Sequence, residues 1–250
     1  SIFNPIGYYE NNVNGTISLV RAMSDANVKK LIFSSSASVY GNPIRLPIDE
    51  THPIQALSPY AETKALNEQF LKAIANSDPE WSIISLRYFN PCGAHSSGYI
   101  GQHFSTSDRS LIAQIMQVIF DEMSHLRVYG LSHPSADGSP VRDFIHVVDL
   151  ANGHVIACQS LFSRLGWDVY NLGVGRGLSV IDMIQSFEMI SNKKIPFVVE
   201  AVRPGDVSLS EACVEKVFAE LNWQACFELE DICESAFLFE QIRRGLKETL

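Results

Sequence analysis

Three stretches decide the fold class: VKKLIFSSS at residues 28–36, SPYAETKALNEQFLKAIA at 58–75 and WSIISLR at 81–87. The first and third are mainly apolar runs of strand length, and the first ends in three serines. The second opens with Ser58 and Pro59, a typical N-cap and first residue of a helix. Strands that alternate with helices in this way predict an α/β fold with a parallel sheet.

The same alternation continues to the C-terminus and predicts two domains. Residues 88–108 are rich in Gly, Ser and His and are predicted to form a long functional loop. We therefore place a boundary near residue 90, giving domains 1–90 and 91–250, and expect that 141–150 could cross back to the first. Further elements are predicted as helices at 8–20 and 111–123, from after 148 to about 162, and at 179–190, strands at 126–129, 141–148, 168–172 and 196–200, and two C-terminal helices.

Composition excludes several classes of function. The chain is 46% hydrophobic and 19% charged, as in a globular protein. Its net charge of −9 argues against nucleic acid or an anionic membrane as partner, and it has no apolar run of membrane-spanning length. Five cysteines without a C-x-x-C pair argue against a disulfide framework or a zinc site, and the seven histidines show no metal-ligand spacing. We expect no metal and a reducing, cytoplasmic location.

Tyr60 and Lys64 are the first candidate catalytic pair. A spacing of four places both side chains on one face of a helix. A neighbouring ammonium favours the phenolate form, which can act as a general base. Taken alone, the same spacing also fits a solvated Tyr/Lys helix face.

Ser36 is the second candidate. A hydroxyl at the carboxyl end of a parallel strand lies where α/β sheets bind ligands. It could hydrogen-bond the same substrate hydroxyl that Tyr60 deprotonates. The alternative is a strand-end serine that bonds its own backbone.

Longer motifs make a family resemblance specific. They are, in order, SSSASVYG at 34–41, SPYAETK at 58–64, RYFNPCGAH at 87–95, VRDFIHVVDL at 141–150 and YNLG at 170–173. With these segments the chain resembles, across nearly its whole length, the UDP-glucose 4-epimerases, NAD-dependent enzymes of the extended short-chain dehydrogenase/reductase family. This resemblance implies a Rossmann-type doubly wound parallel sheet, here incomplete, plus a smaller α/β domain that binds the substrate.

The resemblance implies a reaction and a set of site residues. NAD takes a hydride from C4 of a UDP-hexose and returns it to the opposite face, which interconverts UDP-glucose and UDP-galactose. By motif match, Tyr60 is the base, Lys64 its partner and Ser36 orients the 4-hydroxyl; the expected assembly is a homodimer. The implied cofactor contacts are Asn11, Tyr60, Lys64 and Tyr88, and the implied substrate contacts are Ser36, Ala37, Ser38, Asn90, Leu111, Tyr129, Arg142, Arg203, Asp206 and Ser210.

The sequence departs from the family pattern at its start. The family's first strand carries a Gly-x-x-Gly-x-x-Gly loop that holds the cofactor pyrophosphate, and this chain contains no such loop. We interpret the chain as N-terminally truncated by about a quarter of the usual enzyme. Missing parallel strands expose an apolar edge, so we expect these 250 residues alone to show no epimerase activity and to retain no NAD.

Two smaller departures concern the substrate. Where the family usually has Asn-Asn-Leu, this chain has Arg109-Ser110-Leu111, and Ser110 can replace one amide hydrogen bond but not both. At Ser210 the family varies between tyrosine and a small residue, and a small side chain leaves room for an N-acetyl group at C2. UDP-N-acetylhexosamines are therefore expected as further substrates.

Two other functions remain open. One is another NAD-dependent sugar-nucleotide enzyme. Among these, a 4,6-dehydratase is disfavoured, because it needs an acid where this chain has three serines. The other is a truncated, non-catalytic paralogue that acts as a binding or partner protein.

Overall fold

The computed structural model describes residues 1–104, 110–202 and 206–246, which form two compact units. Among these residues, none of the helices combines the length and hydrophobicity that a membrane crossing needs. The first unit contains 1–89, 151–173 and 212–224, and the second contains the described parts of 90–150, 174–211 and 225–250. The expectation that one domain binds the cofactor and the other binds the substrate stays a prediction.

Strands and helices alternate through both units, and most strand pairs are parallel, so the α/β class is confirmed. The elements are α1 (Pro5–Tyr9), a π-helical turn (Glu10–Asn14), α2 (Gly15–Asp25), β1 (Lys30–Ser36), a 3-10 helix (Ala37–Tyr40), α3 (Pro59–Ser77), β2 (Ser82–Tyr88), β3 (Asn90–Cys92), α4 (Leu111–Ile119), β4 (Leu126–Tyr129), β5 (Val141–Arg142), β6 (Phe144–His146), α5 (Val147–Ser160), β7 (Gly166–Leu172), β8 (Leu178–Ser179), α6 (Val180–Ser191), β9 (Phe197–Glu200), α7 (Glu215–Leu221) and α8 (Leu229–Arg243).

The first unit is built on a parallel sheet of three strands in the order β1-β2-β7. Strand β2 is central, and its residues 82–87 are all buried. Within the described residues β1 is an edge strand, and its apolar residues 31–33 are half-buried. In register, Ser36 lies beside Tyr88. The serines at the end of β1 therefore lie at the carboxyl edge of the sheet, as predicted.

Helix α3 packs on this sheet through a cluster that includes Leu71, Ala75, Trp81 and Ile83. It begins as the sequence predicts, because Ser58 Oγ accepts a hydrogen bond from the backbone N–H of Ala61 at 3.3 Å and Pro59 occupies the first position. The helix carries Tyr60 and Lys64 in its first two turns.

The second unit encloses one apolar core formed by α4, β4, β6, α6 and α8, with Ile115, Met183 and Phe187 fully buried. Its strands pair two by two: β3 with β6, β4 with β9, and β5 with β8. The β5–β8 pair is antiparallel, so Arg142 lies beside Leu178, which packs against the core.

Two sequence expectations for this unit need correction. The segment 88–108 is not entirely loop, because it contains the short strand β3. The strand expected at 141–148 is divided into β5 and β6, and α5 already begins at Val147. The division falls at Asp143, which is fully buried and accepts backbone hydrogen bonds from Val174 at 2.7 Å and Gly175 at 2.9 Å.

Candidate active site

Lys64 and Tyr60 lie together at the end of β1. The Lys64 ammonium donates a hydrogen bond to the carbonyl oxygen of Ser34 at 2.8 Å and lies 5.7 Å from the centre of the Tyr60 ring. Burial lowers the pKa of Lys64. The helical spacing therefore does bring the ammonium beside the phenol, and a backbone carbonyl fixes its position.

Ser36 combines the two interpretations that its sequence left open. Its hydroxyl oxygen accepts hydrogen bonds from the backbone N–H of Ser38 at 3.2 Å and from the Ser38 hydroxyl at 2.9 Å, so Ser36 caps the 3-10 helix at 37–40. These bonds use its oxygen as acceptor. Among the described residues no acceptor is found for its own O–H, which leaves that donor for a ligand.

Tyr88, a predicted cofactor contact, shares Ser34 with Lys64. Its hydroxyl donates to the Ser34 hydroxyl at 2.7 Å, and burial raises the pKa of Tyr88. The same hydroxyl is hydrogen-bonded to Nε2 of His154 on α5, with the two ring centres 5.2 Å apart. Sequence reasoning missed His154, because only the folded chain brings α5 beside the end of β2.

The remaining predicted residues of the first unit are Asn11 and Ser38, which are exposed, and Ala37, which is half-buried. Asn11 lies in the π-helical turn, and its amide donates to the side chain of Asn12 at 3.0 Å. Ala37 packs against a small buried cluster, whereas Ser38 is exposed. No contact of Asn11 with Tyr60 or Lys64 is described, so its role at the cofactor stays a prediction.

In the second unit, Arg142 and Asp206 form an ion pair, with Nη2 and Oδ1 2.8 Å apart. Arg142 also donates through Nη1 to the carbonyl of Val141 at 2.9 Å. Burial lowers the pKa of Arg142, and the Asp206 carboxylate opposes that effect. Ser210 is held beside this pair, because its backbone N–H donates to the Val141 carbonyl at 3.1 Å.

Other predicted substrate contacts are placed separately in the same unit. Asn90 and Leu111 line a common cavity of about 130 Å³. Ser110 caps α4, since its hydroxyl accepts from the Ala113 N–H at 3.4 Å. Tyr129 is the last residue of β4 and is half-buried. Arg203 and Arg109 both lie outside the described residues.

The donor set suits an organic ligand rather than a metal. In the part of the chain that the structure describes, no group of three or more His, Cys, Asp or Glu side chains is arranged to hold a metal ion. A phenol, an ammonium and hydroxyls at the carboxyl end of parallel strands can instead bind sugar hydroxyls and move a proton. A half-buried guanidinium such as that of Arg142 can bind a phosphate anion.

Comparison with known proteins agrees with this chemistry. The NAD dependent epimerase/dehydratase family matches residues 1–173. The UDP-glucose 4-epimerase of Bacillus subtilis is 43% identical over 240 residues, which are 96% of this chain and 71% of that protein. UDP-glucose 4-epimerase 2 of Oryza sativa is 45% identical over 235 residues, which are 93% of this chain. The chain spans 58% of the length of this rice relative.

Solved structures give the same result. The UDP-glucose-4-epimerase of Stenotrophomonas maltophila, with bound NAD and formylated UDP-arabinopyranose, has a TM-score of 0.94 and 39% identity. The UDP-glucose 4-epimerase of Bifidobacterium longum, in complex with NAD⁺ and UDP, has a TM-score of 0.92 and 40% identity. Each match covers 98% of this chain and 73% of the other. The chain belongs to the NAD-dependent epimerase/dehydratase family.

Proposed function

We propose that the protein interconverts UDP-glucose and UDP-galactose by oxidation and re-reduction at C4 of the sugar. NAD, when bound, supplies the hydride acceptor and donor for this reaction. The single observation that carries the proposal is the ammonium of Lys64, fixed by the Ser34 carbonyl beside the Tyr60 ring at the carboxyl end of the sheet.

The residues of the first unit supply the proton transfers. Tyr60 accepts the proton of the 4-hydroxyl when C4 is oxidised and returns it when C4 is reduced. Lys64 stabilises the phenolate form of Tyr60 by its positive charge. The unused O–H of Ser36 donates a hydrogen bond to the same sugar oxygen and so orients it.

The residues present also fit the nicotinamide-ribose end of NAD. Lys64 has three N–H donors, and among the described residues the Ser34 carbonyl takes one of them. The other two are available to ribose hydroxyls. Lys64, Tyr60 and Tyr88, together with Asn11, are the residues that would hold this part of the cofactor.

The residues of the second unit bind the UDP part of the substrate. The Arg142 guanidinium is suited to the diphosphate, because its planar fork matches phosphate oxygens. Asp206 lies at 2.8 Å from that fork and would accept hydrogen bonds from the ribose. Arg203, outside the described residues, is the second diphosphate cation of this proposal, and Asn90, Leu111 and Tyr129 complete the nucleotide contacts.

We further propose that UDP-N-acetylhexosamines are accepted. The support is the small side chain of Ser210, whose backbone is tied to Val141, next to Arg142. The expected result is measurable turnover of both UDP-glucose and UDP-N-acetylglucosamine by the same preparation.

A homodimer in the cytoplasm completes the proposal. Its support is the family resemblance, the exposed apolar side chains of Leu19 on α2 and Leu66 on α3, and five cysteines that all remain unpaired. Light scattering after size-exclusion chromatography tests the dimer, because a monomer at micromolar concentration would contradict it.

The test of the reaction uses protein expressed from the complete reading frame, with UDP-galactose as substrate and UDP-glucose measured as product. Changing Tyr60→Phe removes the proton acceptor and should lower kcat by about 10²- to 10⁴-fold. Tyr99→Phe, an exposed tyrosine of the second unit, is the matched control and should not change kcat.

One outcome of this test is decisive. Absence of turnover in the unsubstituted protein would contradict the proposal and favour the non-catalytic alternative.

A further inference from the structure

A buried ion pair lies directly behind the candidate active site of the first unit. Arg87 is 3% exposed in the central strand β2, and Glu68 is 5% exposed on α3. The guanidinium binds the carboxylate in a two-pronged arrangement, with Nε–Oε1 at 3.0 Å and Nη2–Oε2 at 2.5 Å. The proposed proton transfer uses neither residue.

Glu68 connects the helix that carries the catalytic pair to the strand that carries the serines. It lies four residues after Lys64, on the same face of α3. Its Oε1 accepts a hydrogen bond from the hydroxyl of Ser35 at 2.5 Å. Ser35 stands between Ser34, which binds the Lys64 ammonium, and Ser36. One carboxylate thus fixes α3 against the end of β1.

Arg87 extends the connection to the 3-10 helix that Ser36 caps. Its Nη1 donates to the hydroxyl of Tyr40 at 2.8 Å, and the Tyr40 hydroxyl in turn donates to Oδ1 of Asn171 at 2.6 Å. Burial raises the pKa of Tyr40 to about 12, so this hydroxyl stays neutral and keeps its proton as donor. Ser36 caps the start of this 3-10 helix and Tyr40 is its last residue.

A buried ion pair of this kind gives little net stability compared with apolar side chains of the same volume, because both charges must be desolvated. The pair instead fixes relative orientation, because a planar guanidinium can donate two hydrogen bonds to one carboxylate in only a few orientations. These contacts fix orientation at both elements that carry the candidate catalytic groups.

We propose that Glu68 and Arg87 are positioning residues that hold the Lys64 ammonium and the Ser36 hydroxyl in register for Tyr60. This inference rests on the proposed function and extends it to two residues that touch neither substrate nor cofactor. It predicts that loss of the pair lowers turnover without weakening substrate binding.

The first test is Glu68→Gln in protein from the complete reading frame. The amide keeps the shape of the side chain and an acceptor for Ser35 but removes the charge. Because a small misplacement of catalytic groups is costly, kcat should fall by about 10- to 100-fold while KM for UDP-glucose changes less than about twofold. The matched control is Glu80→Gln, which removes an exposed ion pair with Lys29 in the same unit and should leave both constants unchanged.

The second test does not depend on turnover. Acetylation of the Lys64 amine by a lysine-selective reagent, followed by mass spectrometry, reports how firmly this side chain is held. In Glu68→Gln the rate should rise about fivefold, as for loss of one hydrogen bond of ordinary strength. If the unsubstituted protein shows no turnover, the proposed function fails, and this rate alone decides the positioning role.

A third variant separates positioning from stability. Replacing both members, Glu68→Met with Arg87→Met, leaves no unpaired buried charge, only the Ser35 hydroxyl without its acceptor, and should lower the melting temperature far less than Glu68→Met alone. The proposal expects its kcat to stay low and its Lys64 acetylation to stay fast. Recovery of normal kcat, or of slow acetylation, in this double variant would overturn the proposal and leave the pair a purely structural feature.

Discussion

The candidate site residues of the two units are held in place by different kinds of structure. In the first unit they lie at the end of β1, an edge strand in the described residues whose apolar side chains at 31–33 are half-buried. In the second unit Arg142 lies on β5, paired with Leu178, which packs against a core of buried apolar residues. The first group is thus held mainly by hydrogen bonds to a strand end, and the second is supported by a closed core.

The chemistry of the two groups differs in the same way. Tyr60 can accept a proton, Lys64 can stabilise the phenolate form of Tyr60, and Ser36 can donate a hydrogen bond. These interactions matter most in the transition state, where bonds change. Arg142 and Asp206 are charged, and in the proposed function they bind the diphosphate and a ribose hydroxyl in the ground state as well as in the transition state. Substitutions in the first unit should therefore lower kcat, and substitutions in the second should raise KM.

The largest effect is expected for Lys64→Met. This change removes the positive charge that favours the phenolate of Tyr60, and kcat for UDP-galactose should fall by about 10³-fold, within the range of general-base catalysis. Lys72→Met is the control, because Lys72 lies two turns later on α3, with its ammonium 5.2 Å from the centre of the Trp167 ring. Equal losses in the two variants would show that charge on the helix, rather than the position of Lys64, is responsible.

Matched isoleucines test the difference in packing. Ile115 is fully buried in the second unit, and Ile115→Ala should lower the free energy of unfolding by about 2–5 kcal/mol. Ile32 on β1 is half-buried, and Ile32→Ala should cost only about 1–2 kcal/mol. Hydrogen exchange of the 250-residue chain, resolved by peptide, measures the two losses in their own units. A loss at β1 as large as that at Ile115 would remove the contrast between the units.

Local sequence patterns predicted most of the longer helices and strands and the short-range part of the site. The spacing of Tyr60 and Lys64 and the cap at Ser58 depend on helix geometry alone, so both could be predicted. The strand end at Ser36 follows from the apolar run before it. The long motifs then pointed to the family, which the comparisons confirm.

Contacts that join distant parts of the chain could not be predicted. Arg87 with Tyr40, and Tyr88 with His154, are brought together by the order of strands and helices around the sheet, which residue spacing does not encode. The division of 141–148 was missed for a related reason. Asp143 looks like one polar residue in a strand, and only the fold shows that its buried carboxylate holds the turn at 174–175.

Arg142→Ala tests the second unit. Loss of the guanidinium removes charge-assisted hydrogen bonds to the diphosphate, and KM for UDP-galactose should rise by about 10- to 100-fold with kcat nearly unchanged. Arg127→Ala is the control, because Arg127 is exposed in the same unit and its ion pair with Glu200 is long, at 3.6 Å. A fall in kcat at constant KM would place Arg142 with the proton-transfer groups and break the division between the units.

The smallest effect is expected for Ser210→Tyr, which changes the substrate preference rather than the reaction. Ser210 is half-buried, and its backbone is tied to Val141, so a larger side chain cannot move away by shifting the chain. A phenol there would occupy the space proposed for the N-acetyl group. kcat/KM for UDP-N-acetylglucosamine should fall about tenfold relative to UDP-glucose, a size of effect typical of steric exclusion in a pocket. Ser208→Tyr tests whether bulk anywhere on this segment suffices, and an unchanged preference in Ser210→Tyr would show that position 210 does not border the sugar.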